Sequence, residues 1–351
     1  MSLPNIQTAY MTFSDFQLQP QSWKDSALGV IDFGTSVPEF ASGHHAADAT
    51  TIPTIHLQAA ILDGADTAVE IWLSSEALSH QLALKSGQHG AIQYRLNDEL
   101  LFGVISVPEK SSLQNATESA YREIFALMES LDYPHVYRFW NYMADINGIS
   151  EGLERYRQFN VGRKDAFASY ENGIGDQLPA ACALGLAAGP LTIAFLLGRQ
   201  APIAIENPRQ INAFEYPEDY GPRTPSFSRA TLLPVEKNET LFISGTASIV
   251  GHLTQHADNV VAQTRETLIN LDAVIAEANR ILGQEKFDLQ DIYFRVYIRH
   301  AADLDVVRDE IQRHIGGEVK ALFVQADICR AELLLEIEAT VGPSFKLAYT
   351  K

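Results

Sequence analysis

The stretch TLFISGTASI, Thr240–Ile249, is short, apolar and rich in β-branched residues, so it reads as a buried strand. The elements after it set the fold. Asp258 is a candidate N-cap for a helix whose stripe runs through Val261, Thr264, Leu268, Leu271, Val274 and Ile275 at a 3.6-residue period. A strand at Ile292–Ile298 comes next, then a helix from Asp303 to His314 stopped by Gly316-Gly317. Strands near Val319–Ala326 and Glu332–Thr340 close the unit.

Toward the N-terminus the same order recurs. Leu100–Val107 (LLFGVISV) is a strand. A helix begins at Asn115 or Thr117 with Ala120, Ile124, Phe125, Met128 and Leu131 on one face. His135–Met143 (HVYRFWNYM) is a strand, and Ser150 caps a helix through Phe159. Two strands, Ala181–Ala187 and Leu191–Leu197, pair as a hairpin around the turn at Gly189-Pro190. Cys182 and Cys329 fall at matching places in the two units. The expected fold is α+β: a duplicated, pseudo-oligomeric chain of two halves, each a mixed β-sheet covered on one face by two helices. Residues 1–200 form the first half with an N-terminal extension, 201–234 a bridge rich in Pro, Tyr and Arg, and 235–351 the second half. The extension carries strand-like pieces at Thr51–Leu57 and Ala68–Leu73. The open sheet faces must cover each other, and a ligand site is expected in the cleft between them.

Composition narrows the function. The chain has 351 residues, 46% of them apolar, enough for a sizeable core. Twenty-six basic residues against 44 acidic give a net charge of −18, which disfavours nucleic acid and anionic membrane surfaces as partners. An anionic substrate would need a local cationic pocket. Two cysteines exclude a disulfide framework and suit a reducing, cytoplasmic setting. Met1–Trp23 has neither the basic cluster nor the apolar run of a leader. Gln177–Gly198 is uncharged over 22 residues, but Gly185, Gly189 and Pro190 make it two strands rather than a membrane span. Nucleophile elbow, P-loop and zinc-protease motifs are absent, and Gly173-Ile174-Gly175 lacks the third glycine of a dinucleotide fingerprint. His44-His45 are adjacent, so on a strand they point to opposite faces and make a poor chelate. No metal and no cofactor is expected.

Two features carry chemistry. In Glu332–Ala339 (ELLLEIEA), period two sets Glu332, Glu336 and Glu338 on one face and Leu333, Leu335 and Ile337 on the other. The acidic face is either solvated or turned to the cleft. In the cleft, a neighbouring carboxylate and apolar surroundings would raise a glutamate from about 4.3 toward the range of a neutral-pH acid. Spacing does not choose between Glu336 and Glu338. The second feature is cationic: Arg155, Arg157, Arg163 and Lys164 lie close together beside the aromatic strand Trp140-Asn141-Tyr142, and Arg223 follows Tyr220-Gly221-Pro222 in the bridge. Pairing with Glu151, Glu154 and Asp165 is one reading; a carboxylate clamp is the other.

TLFISGTASI, the helix around Gln263-Thr264-Arg265 and the closing Glu336-Ile337-Glu338-Ala339 resemble the RidA (YjgF) family. Tyr137–Gly162, Tyr220–Ala230 (YGPRTPSFSRA) and Cys329–Ala339 make the chain, over roughly residues 30–350, resemble the chorismatases. That resemblance implies cleavage of the enol ether of chorismate with release of pyruvate, in a pocket between two RidA-like halves. It implies Glu336 as the acid that protonates the enolpyruvyl methylene, and substrate contacts from Tyr220, Arg223 and the Arg155/Arg163 region, with Asn141, Tyr142 and Thr246 beside them. An adjacent carboxylate and fixed dipoles would stabilise the oxocarbenium ion. Gly245 and Cys329 resemble the 3-hydroxybenzoate-forming subtype, whereas hydrolytic members tend to carry alanine at both places; a subtype that also makes 4-hydroxybenzoate shares the signature. Cys329 and Glu336 have opposite strand parity, so a bulge or turn must separate them if both face a ligand. The chain is expected to act as a monomer or a homotrimer, since RidA-like domains often associate in threes. Two other readings stand beside this one: an enamine/imine deaminase using Arg330, and a catalytically silent ligand-binding module.

Overall fold

The computed structural model describes residues 6–34, 52–80, 83–170, 178–234, 239–317 and 319–341; His44-His45 and Gly173–Gly175 lie outside them. The first sheet uses β1 (Ile6–Met11), β2 (Ala27–Gly34), β3 (Thr54–Gln58) and β5 (Val69–Ser74), with β4 (Ala60–Asp63) crossing to another sheet. The short helices α1 (Phe13–Leu18), α2 (Gln21–Lys24) and α3 (Ser75–His80) accompany it. The second sheet uses β6 (Lys85–His89), β7 (Ile92–Leu96), β8 (Leu100–Val107), β9 (His135–Ala144), β12 (Ala180–Leu186) and β13 (Leu191–Gly198). Its helices are α4 (Leu113–Leu131) and α5 (Arg155–Ser169), and a small hairpin, β10 (Ile149–Ser150) and β11 (Leu153–Glu154), precedes α5. The third uses β14 (Ile203–Ile205), β15 (Ala230–Leu233), β16 (Thr240–Thr246), β19 (Tyr293–Ile298), β20 (Ala321–Gln325) and β21 (Leu335–Val341), plus β4. Helices α6 (Val260–Leu282) and α7 (Leu304–Ile315) and the hairpin β17 (Ile249–Val250) and β18 (Leu253–Thr254) belong to it.

The α+β duplication is present, strand for strand. The second sheet runs β6-β7-β8-β13-β9-β12 and the third β14-β15-β16-β21-β19-β20. The expected hairpin between residues 181 and 197 is corrected. β12 reaches the sheet by a helical crossover, so it lies parallel on the outer edge of β9, while β13 is antiparallel to both β8 and β9 and sits between them. Cys182 lies within β12, whereas Cys329 lies beyond the end of β20, the strand in β12's place, so the two cysteines do not fall at matching places. The bridge is not separate either: β14 and β15 extend the third sheet.

The N-terminal extension is a third, smaller version of the same pattern. Its order β1-β5-β2-β3 repeats β8-β13-β9-β12 and β16-β21-β19-β20. The pairings repeat as well: antiparallel, antiparallel, parallel. The strands alternate around this arrangement. In β21, Leu335, Ile337, Ala339 and Val341 face the helices α6 and α7, in a core separate from the central one. The middle helices pack on the second sheet in the same way. The opposite faces of all three sheets meet in a shared core that includes Tyr10, Leu28, Trp72, Phe102, Trp140, Phe242 and Tyr297. Trp72 of the first sheet stands 5.0 Å from Trp140 and 6.5 Å from Phe102 of the second, and 6.3 Å from Phe242 of the third.

Helix ends follow local chemistry. Ser112 rather than Asn115 or Thr117 caps α4, its hydroxyl accepting from the Asn115 N–H. Asn259, not Asp258, caps α6 in the same way. Ser150 does not cap α5: it lies in the preceding hairpin, where it accepts from Gln158, and the helix starts at Arg155. Gly316, at φ 76°, ends α7 in the left-handed conformation that glycine tolerates. The described part of the uncharged stretch supplies β12 and β13, and no helix among the described residues is long and apolar enough to cross a membrane.

Trp72 is 1% exposed and joins all three sheets. Trp72→Ala is expected to cost about 3–5 kcal/mol of stability in urea denaturation. A loss near zero would mean that the first sheet is not integral to the core.

Candidate active site

β21 gives the site its acid. With the leucine and isoleucine positions committed to the helices, Glu336 and Glu338 must point inward. They are 4% and 2% exposed, so these two are not solvated. The expected alternation does not extend to the start of the segment: Glu332 lies exposed in the turn before β21, and Leu333 packs in the central core rather than with Leu335 and Ile337. Their surroundings differ. Glu338 accepts from Arg138 Nη2, from Arg295 Nη1 at 2.6 Å and from the Tyr297 hydroxyl at 2.9 Å. Burial opposes its charge, but Arg295 and Arg138 outweigh burial and hold it below the ordinary carboxylate value. Glu336 has no such partners, and its Oε1 is buried with no hydrogen bond. Burial, reinforced by the charge of Glu338 and only partly offset by Arg138, pushes it up to about 8. At neutral pH Glu336 therefore holds a proton beside an ionised neighbour.

Glu336 lines a cavity of about 230 Å³ at the seam between the second and third sheets. β12 and the third sheet are joined there by backbone and hydroxyl bonds: Ala180 N–H to Thr231 Oγ1 at 2.7 Å and Ala181 N–H to Ser244 Oγ at 2.9 Å. Small residues, Ala181, Ala183, Gly245 and Ala247, leave the space open. Gly245 is tightly constrained: a Cβ there would lie 1.8 Å from Glu336 Oε1. Cys182 and Cys329 both reach this cavity, and burial pushes the Cys329 thiol up to about 12, so it stays uncharged. Cys329 sits at a bend and Ala331-Glu332 in a turn before β21, which removes the parity conflict between Cys329 and Glu336.

The opposite wall is cationic. Arg163, on α5, is 2% exposed and stands 5.2–5.9 Å from the ring centres of Tyr121, Phe139, Phe159 and Phe167. Its Nε and Nη2 are buried without a hydrogen-bond partner. Arg330 donates through Nη1 to the His252 carbonyl at 2.9 Å and Thr254 Oγ1 at 3.1 Å, lies 4.1 Å over the Tyr220 ring, and leaves Nη2 unpartnered. Arg229 bonds Tyr216 and the Ile211 carbonyl through Nη2 while its Nε stays free. Three guanidiniums, each with a buried and unused donor, around one cavity have the chemistry to hold an anion.

The expected residues divide accordingly. Glu336, Arg163, Tyr220, Gly245 and Cys329 line the cavity. Five others do not. Arg155 is spent on Glu109, at 2.5 and 2.8 Å, and on the Ala144 carbonyl at 2.9 Å. Arg223 is a surface side chain, 55% exposed, whose nearest acid is Asp165 at 3.4 Å. Asn141 stands behind the wall, accepting from the Tyr121 hydroxyl and donating to the Cys182 carbonyl. Tyr142 is in the central core, 3.0 Å from the Tyr297 hydroxyl. Thr246 turns back to the Ser244 carbonyl. Sequence reading missed Arg229, Tyr216 and Asn160, and assigned Arg330 only to the deaminase alternative; the aromatic residues around Phe227-Ser228-Arg229 were the available signal. Among the described residues no cluster of metal-binding side chains is found.

Residues 70–197 match the family model described as chorismatase FkbO/Hyg5-like, N-terminal. A 3-hydroxybenzoate synthase of Streptomyces hygroscopicus is 34% identical over 90% of this chain and 91% of its own. A chorismatase of the same organism is 38% identical over 91% of this chain and 90% of its own. A chorismatase crystal structure superposes with a TM-score of 0.83 at 32% identity, covering 97% of this chain and 99% of that one.

Glu336 is expected to show a protonated-carboxyl infrared band at pH 7 that is absent from Glu336→Gln and bleaches near pH 8. A fully ionised residue 336 at pH 7 would contradict the site's electrostatics. The folded value lies above the ordinary 4.5, so this group's contribution to stability is largest below 4.5 and declines as pH rises to about 8.

Proposed function

This chain belongs to the chorismatase family, and on that basis we propose that it converts chorismate to 3-hydroxybenzoate and pyruvate, with Glu336 as the general acid. The single observation that carries the proposal is the buried, unpartnered Glu336 carboxyl facing a cavity lined by arginines. Chorismate is a dianion. Arg163 and Arg330, each with an unpartnered donor, supply one grip for each carboxylate in an otherwise acidic protein. The grips fix the enolpyruvyl group so that its methylene carbon meets the Glu336 proton.

Proton transfer breaks the Glu336 O–H bond and forms a C–H bond at the methylene, leaving a cation on the ether-bearing carbon. The Glu336 carboxylate just formed stabilises that charge. The ring C4 hydroxyl then displaces the side chain, which departs as pyruvate with the ether oxygen. The hydroxyl proton replaces the one consumed, and the arene-oxide-like product opens and aromatises. The two products account for every atom of chorismate, so no water is used. Hydrolysis to a dihydroxycyclohexadiene carboxylate would require a water in the cavity. Gly245 and Cys329 support the benzoate-forming course: alanine at 245 would displace the Glu336 carboxyl and reshape the space beside it.

Glu336→Gln is expected to lower pyruvate release at least about 10³-fold, since an amide has no acidic proton to give. Retained turnover would exclude this acid. In the wild type, kcat/KM is expected to fall above pH about 8, as the proton is lost. Arg163→Gln is expected to raise KM about 10–100-fold, as befits a lost charged hydrogen bond; an unchanged KM would remove Arg163 from substrate binding. Chromatography of the aromatic products should show 3-hydroxybenzoate, and Gly245→Ala with Cys329→Ala should shift products toward the diol. A diol from the wild type would overturn the subtype.

A further inference from the structure

Glu338 does not line the cavity; it lies behind Glu336, on the same face of β21. Its partners come from the second and third sheets, and the N-terminal sheet joins through one of them. Arg138, on β9, donates to Glu338 and, through Nη1, to the Ile243 carbonyl at 2.7 Å. Arg295, on β19, donates to Glu338 and also to Glu70 of the N-terminal sheet. The Tyr297 hydroxyl completes the set and lies 3.0 Å from that of Tyr142. Two arginines and two glutamates are thus locked in one buried network that ends next to the unpartnered Glu336.

We propose that Glu338 is a positioning residue: clamped as a permanent anion by Arg138 and Arg295, with Glu70 of the N-terminal sheet holding Arg295, it assigns the proton of the carboxyl pair to Glu336. This rests on Glu336 being the acid. The pair is asymmetric because one member is given both cations and the other none. Within the protein wall the other groups facing the pair are uncharged: Tyr156 on α5, Cys182 on β12, Cys329, and the Tyr142 and Tyr297 hydroxyls, all held protonated by burial. On the cavity side Glu336 shares its lining with Arg157, Arg163, Arg229 and Arg330 and with Glu154, Asp219 and Glu332, none of which the variants below alter. The N-terminal sheet, far from the cavity in sequence, thereby contributes to the catalytic proton.

Glu338→Gln keeps the shape and removes the charge. Arg138 then faces Glu336 without its counter-anion and favours the Glu336 carboxylate, so the proton is lost at lower pH. The basic limb of kcat/KM is expected to move down by about one unit or more. The rate at neutral pH falls and is regained on acidification. Glu338→Asp, which keeps the charge, should restore the limb. Glu70→Gln is expected to shift it in the same direction by less, and serves alone if Glu338→Gln does not fold. The protonated-carboxyl infrared band of the unliganded protein should follow the same shifts; Glu206, which burial pushes up to about 7, gives a background that persists in Glu336→Gln. A limb and band that stay in place, or a loss of rate equal at all pH values, would overturn the role of Glu338. Activity surviving in Glu336→Gln would instead overturn the underlying assignment of the acid.

Discussion

Two carboxyl groups on one face of a strand, both removed from water, cannot be equally ionised without equal compensation. The compensation in this chain is unequal. Arg138 and Arg295 converge on Glu338, and no hydrogen-bond donor reaches Glu336 Oε1. One carboxyl becomes a fixed anion, the other keeps its proton. The rest of the molecule is the scaffold for that difference. β21 supplies both groups, β9 and β19 one arginine each, and the N-terminal sheet the glutamate that steadies Arg295.

Charge is handled by segregation. A chain with 44 acidic residues repels an anionic substrate at long range. Within the cavity Arg157 pairs with Glu154, but Arg163, Arg229 and Arg330 lie against aromatic rings with donors unspent on acids. Arg163 shows the device plainly: four rings surround it, and two of its donors remain available. A guanidinium is weakly hydrated and stacks well, so this costs less than burying an ammonium would. A carboxylate in the cavity would accept hydrogen bonds from Arg163 donors that no protein group uses.

Much of this was legible in the sequence. Period-two alternation in ELLLEIEA put Glu336 and Glu338 on one face, and periodicity in the long helices put the opposite face against them. What alternation could not provide was that the acidic face is covered too, because that depends on the other two sheets. The N-terminal extension is not legible as a repeat because the helices between β1 and β2, α1 and α2, are too short for a periodic stripe. Arg155 and Arg223 looked like clamps because sequence shows a charge but not its partner; Glu109, 46 residues from Arg155, takes that charge. The Gly-Pro turn suggested a hairpin, and only the pairing of β9 with both β12 and β13 shows that the strands it joins are not neighbours. Arg229 and Arg330 gave weak signals because their role arises from long-range convergence on one cavity.

The proposed chemistry depends on geometry: Glu336 would deliver its proton to a vinyl carbon held by arginines. A crystal structure of the Glu336→Gln variant with chorismate bound is the decisive test, since the variant should hold the substrate unreacted. The expected result has the residue 336 side chain about 3–3.5 Å from the enolpyruvyl methylene carbon, with one carboxylate on Arg163 and the other on Arg330. Chorismate bound with its methylene turned away from residue 336, or outside this cavity, would refute the mechanism.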